Sequence, residues 1–130
     1  MGERAIDIDE LRAFCLSLPE THEQETWGDA EHAGDVTFRV RGKIYLITGQ
    51  EGGGASIRTD RDQQADLLAA FPDAVSVAPY VGRFGWVSVR LDALDGSIIR
   101  DVIVSAWRRT APKAVVAAFD AGATPKVAPR

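Results

Sequence analysis

Residues 36–48 constrain the fold of this chain more than any other stretch. Val36, Phe38 and Val40 are apolar and alternate with Thr37, Arg39 and Arg41, the period-two pattern of a strand buried on one face. Gly42 then marks a tight turn with Lys43 beside it, and Ile44 to Thr48 returns as a second strand. A hairpin that is apolar on one face needs further strands and a covering layer to be stable in water.

The rest of the chain offers both. Asp7 and Glu10 have the spacing of a capping box, and Leu11, Phe14, Cys15 and Leu18 recur at helical period, predicting a helix over Ile8–Leu18 that Pro19 ends. A short strand is expected near Glu25–Trp27, then a polar, acidic loop to residue 35. Ala55–Arg58 reads as a strand, and Thr59 or Asp60 caps a helix over Arg61–Ala70, with Leu67, Leu68 and Phe71 facing the core. Ser76–Ala78 and Trp86–Leu91 read as strands joined through the Gly82–Gly85 turn. Asp92 or Asp95 caps a long helix whose stripe is Ile98, Ile99, Val102, Ile103, Ala106 and Trp107. Pro112 starts a last helix to about Phe119, and residues 121–130 form a small, Pro-bearing tail expected to be mobile. The order is helix, strands, helix, two strands, helix, with hairpin-like spacings. It predicts one α+β domain over residues 1–120: an antiparallel sheet of five to six strands with helices packed on one face. The other face is then partly wet, and alternation places Arg39, Arg41 and Arg90 on it.

The 130 residues suit a single domain that needs no disulfide or metal to hold its core. No apolar run approaches the ~20 residues of a membrane span, the N-terminus has no signal-peptide pattern, and Cys15 has no partner for an internal disulfide. A cytoplasmic protein with no membrane partner is the expectation. The net charge of −4 is unevenly placed: residues 1–35 hold ten acidic and two basic side chains, and residues 36–130 hold nine acidic and thirteen basic.

The order and spacing of several segments resemble the MmcQ/YjbR family of small bacterial proteins. They are Leu16-Ser17-Leu18-Pro19-Glu20, Glu25-Thr26-Trp27-Gly28, Phe38-Arg39-Val40-Arg41-Gly42-Lys43, Pro79-Tyr80-Val81-Gly82, Gly85-Trp86-Val87 and Ser105-Ala106-Trp107. The resemblance covers about residues 8–118. It implies a two-layer α+β fold with an antiparallel sheet, and DNA binding in a "double wing" mode in which β-hairpins grip the duplex. It brings no catalytic residue set.

The residues themselves supply candidates for phosphate contact: Arg39, Arg41 and Lys43 on the first hairpin, then Arg58, Arg83 and Arg90. Lys43 and Arg83 each sit near a glycine-marked turn, as two hairpin tips would. The alternative is that these are solvated charges offset by nearby acids, and a pI of about 5.1 weighs on that side. Trp27, Tyr80 and Trp86 are candidates to line a cleft, with core packing as their other reading. Gly52-Gly53-Gly54 lacks the Lys-Ser/Thr ending and the following helix of a phosphate loop. His22, Glu23, Glu25, Asp29, Glu31 and His32 cluster without metal-site spacing and read as a solvated acidic segment. No cofactor, no metal and no catalytic constellation are expected. Two functions stand: DNA binding, or a module that binds a protein or small anionic ligand, in either case as a monomer or weak dimer.

Overall fold

The computed structural model describes residues 5–26, 35–49, 53–78 and 81–123. Among these are four helices and six strands. Helix α1 (Ile8–Ser17) starts at a reciprocal cap. The Glu10 N–H donates to the Asp7 carboxylate at 2.8 Å, and the Asp7 N–H donates to the Glu10 carboxylate at 3.1 Å, satisfying donors a helix start leaves unpaired. The chain turns at Leu18–Pro19 and enters β1 (Thr21–Thr26). This strand begins four residues earlier than the apolar pattern indicated. It is an edge strand of polar residues, so it has no alternation to read.

Strands β2 (Asp35–Val40) and β3 (Lys43–Gly49) form the predicted hairpin. Arg41 and Gly42 make its two-residue turn, with φ of 53° and 82°, the backbone shape that follows the strand twist. Arg41 therefore lies in the turn and not on the sheet face with Arg39, where alternation had placed it. Pairing also shifts by one between Phe38 and Arg39, because Tyr45 is an extra residue in β3. Such a bulge breaks alternation, and both Tyr45 and Leu46 are buried.

Strand β4 (Gly54–Ile57) leads to α2 (Arg61–Ala70), capped by Asp60. Strands β5 (Val75–Val77) and β6 (Val87–Arg90) follow, then α3 (Gly96–Thr110) and α4 (Lys113–Ala123). The sheet order is β1-β2-β3-β4-β6-β5, antiparallel throughout. Helix α4 runs to Ala123, past the Phe119 end read from sequence; Ala121 and Ala123 favour the helix, and the Arg108 guanidinium of α3 holds Asp120 in this last turn.

The core lies between the helices and one sheet face. Phe38, Leu46, Ile57 and Val87 of the sheet meet Ile99, Ile103, Ala106 and Trp107 of α3. Trp107 is fully buried. Its indole N–H donates to the Pro19 carbonyl at 2.9 Å, and its ring packs on Phe119 with centroids 4.9 Å apart. Cys15 is also fully buried, and burial pushes its thiol up to about 12.

Register defines the open face. One row crosses the whole sheet as Gln24, Thr37, Ile47, Ser56, Ser88 and Ser76. Arg39 and Arg90 share this face but lie at opposite ends of their strands. Four of the six residues in the row are small hydroxyl side chains, and with one arginine towards each end the face is not a continuous basic surface.

Candidate nucleic-acid interface

Both glycine-marked turns lie at the same end of the sheet. Val40 pairs with Lys43 beside the Arg41–Gly42 turn, and Ile57, Val87 and Val77 pair at the end that carries the Gly82–Gly85 turn. Three strand spacings separate the two tips, roughly 14 Å at ~4.8 Å per strand. That is of the order of the ~12 Å major groove of B-DNA.

The first tip is largely self-neutralised. The Arg41 guanidinium is paired with the Glu20 carboxylate through Nε and, at 3.2 Å, through Nη2. This contact holds the Glu20 carboxyl below its usual range and raises Arg41. Arg39 donates to the Thr37 hydroxyl at 3.1 Å, the Thr26 hydroxyl at 3.3 Å and the Gly42 carbonyl at 3.4 Å, bracing the turn from within. Lys43 is exposed and makes no ion pair among the described residues.

The second tip is a one-turn 3₁₀ segment, Gly82–Phe84, ending at Gly85 with φ of 99°. Glycine is required there. A Cβ at Gly85 would lie 2.7 Å from the Thr59 carbonyl oxygen and 2.9 Å from the Asp60 backbone. The start of α2 clamps the tip from below. Arg61 donates to the Arg83 carbonyl at 2.6 Å, Gln64 donates to the Gly82 and Trp86 carbonyls at 2.9 and 2.8 Å, and the Thr59 hydroxyl donates to the Gly85 carbonyl. Arg83 is exposed, with its guanidinium carbon 4.8 Å from the Phe84 ring centroid. It too has no ion pair among the described residues.

Of the remaining candidates, Arg58 leaves the end of β4 towards α3 and donates to the Thr110 hydroxyl at 3.1 Å. Arg90 lies at the far end of the sheet, 3.6 Å from Asp92. Trp86 is half-buried beside the second tip. Trp27 and Tyr80 lie outside the described residues, as do Asp29, Glu31 and His32. Among the described residues no group of three His, Cys, Asp or Glu side chains is placed to hold a metal, and Glu23 is paired with Arg12. Sequence reasoning passed over Arg61, Gln64 and Arg109 on the helical side of the second tip. Arg109 bonds Asp60 and Gln63, each at 3.1 Å. Their signal was weak, since each looks like an ordinary exposed helix residue until α2 is seen beneath the turn. Phe84 belongs to the aromatic-rich segment around the Gly82–Gly85 turn, but Tyr80 and Trp86, not Phe84, are the residues there expected from sequence to line a cleft. It lies in a Gly-x-x-Gly turn outside any alternating run, and it is 62% exposed.

A shallow depression of about 230 Å³ lies on the open face, lined by Asp35, Ile47, Gly49, Gly54, Ser56 and Ser88 among others. It has a carboxylate and no cation in its lining.

These features define a small two-layer α+β domain whose sheet projects two turns from one end. The chain belongs to the YjbR family, whose model matches residues 16–109. A solved structure, that of protein DR2400 from Deinococcus radiodurans, which carries a DUF419 domain, superposes with a TM-score of 0.70 at 19% identity, covering 92% of this chain and 89% of that one. At that identity the likeness concerns the fold. No curated protein matches the chain. Among the described residues, no helix is long and apolar enough to cross a membrane.

Proposed function

We propose that this domain binds DNA without catalysis, with its two turns set against the phosphates on either side of a groove. The observation that carries the reading is the common placement of Lys43 and Arg83. Each is exposed at a tip of the same sheet end, and each lacks an acidic partner among the described residues. A cation already paired with a carboxylate must lose that pair before it gains a phosphate, so these two, and not Arg41 or Arg90, are the expected first contacts. The tip separation of roughly 14 Å, from three strand spacings, suits a groove.

Fluorescence anisotropy with a labelled duplex at low salt tests this. Binding that weakens steeply as salt rises is the expected result. No binding at low salt would remove the reading.

A second reading, a protein-binding module, draws on Val77 and Phe84. They are 52% and 62% exposed, Val77 on edge strand β5 and Phe84 in the turn that follows it, and exposed apolar side chains beside an edge strand suit a protein partner. A small-anion site on the open face is less well supported, because the depression there presents Asp35.

A further inference from the structure

Phe84 has the largest exposure of any big apolar side chain among the described residues, at 62%. A loose turn would account for this, but the turn is not loose. Arg61, Gln64 and Thr59 bond the carbonyls of Arg83, Gly82, Trp86 and Gly85. The Gly82 and Gly85 N–H groups donate to Ala78 and Gly82 at 2.8 and 2.9 Å. The backbone is held from both sides while the ring is presented outward.

The ring's neighbour narrows what it can meet. The Arg83 guanidinium lies 4.8 Å from the ring centroid, within cation–π range. It has no acidic partner among the described residues, and neither has Arg61, whose side chain supports the same tip. An apolar protein pocket closing over Phe84 would strip water from these cations and give them no counter-charge. A nucleotide matches both parts. Its base offers a flat face to the ring, and its phosphate offers a charge to the guanidinium.

We propose that Phe84 stacks on a nucleobase that has left its helical stack, with Arg83 against the adjoining phosphate, so that the domain binds single-stranded or locally opened DNA as well as the closed duplex. This rests on the DNA reading of the two tips.

The test compares wild type with Phe84→Ala, Phe84→Trp and Arg83→Ala, using a short single strand with a fluorescent adenine analogue and the same sequence as a duplex. The Phe84 ring is outside the core, so thermal midpoints of its variants should match wild type. Phe84→Ala is expected to weaken single-strand binding about 10-fold without changing the salt slope. It should also abolish the change in analogue fluorescence, and Phe84→Trp should preserve both. Arg83→Ala should instead make the single-strand salt slope shallower by ~0.7. If Phe84→Ala binds both DNAs as wild type does, with the same fluorescence response, stacking is overturned while groove binding stands. If wild type binds neither DNA at low salt, both fall. A wild-type self-association in sedimentation that Phe84→Ala removes, with DNA binding unchanged, would assign the ring to a protein contact and overturn the proposal.

Discussion

At the residue scale, Glu20 decides how much of the first tip is available. Its carboxylate holds the Arg41 guanidinium, so Glu20→Gln should release that cation. Duplex affinity should then rise, and the salt slope should steepen by about one phosphate contact; anisotropy titrations at several salt concentrations read this. The pH sense follows from the same contact. Glu20 and Asp120 are held below their usual range by arginine, and Asp60 chiefly by the Gln63 N–H. Carboxyls depressed on folding add stability that is complete above their unfolded values, near ~4, and is lost as pH falls through their lower folded values. Thermal midpoints should therefore be insensitive to these three groups from pH 8 to about 5 and decline below about 4. Cys15 works in the opposite direction. Burial raises its thiol to about 12, so almost no thiolate forms at neutral pH. Alkylation should be negligible in the native protein and rapid in denaturant. Fast native labelling would mean that α1 opens readily from the sheet.

At the scale of elements, the two turns use glycine for different reasons. At Gly42 a Cβ meets nothing within 4 Å, so Gly42→Ala pays only for its positive φ, about 1 kcal/mol. At Gly85 the same change also drives a methyl into the Thr59 and Asp60 backbone, and a loss of more than ~2 kcal/mol is expected. Urea unfolding of the two variants checks the order, and equal losses would contradict the clamp described for the second tip. Trp107→Ala, which empties the most voluminous fully buried side-chain site among the described residues and orphans the Pro19 carbonyl, should cost about 3–5 kcal/mol. The helices and the central hairpin were legible in the sequence because their signals are local. Asp7 with Glu10, Asp60 before Arg61, and the Ile99–Val102–Ile103–Ala106 stripe each state an element within a few residues. Edge strand β1 was not, because Thr21–Thr26 is polar and gains its shape from pairing with β2. The Tyr45 bulge was hidden for a related reason. An extra residue in a strand is defined by its partner strand, and no single-strand periodicity contains it.

At the scale of the molecule, charge is mixed around the two tips. Strand β1, from the acidic first quarter of the chain, pairs with β2 and brings Glu20 to the Lys43 tip, while α2 beneath the Arg83 tip carries Asp60 and Asp62 at its start. With a net charge of −4, DNA contact has to be confined to the exposed cations Lys43 and Arg83. The sequence made the two glycine-marked corners visible and linked Lys43 and Arg83 to them. It could not tell which cations remain available. Arg41 meets Glu20 from twenty-one positions away, and Arg58 meets Thr110 from fifty-two, and such pairings exist only once the chain is folded. Nor could it reveal that α2 braces the second tip from beneath. The measurement that bears most directly on the central claim is the slope of log Kobs against log salt for a duplex, compared between wild type and the Lys43→Ala/Arg83→Ala double variant. Two phosphate contacts predict a slope shallower by ~1.8 in the variant, with the fold intact by circular dichroism. An unchanged slope, or no wild-type complex at low salt, would contradict the assignment of the two tips to DNA.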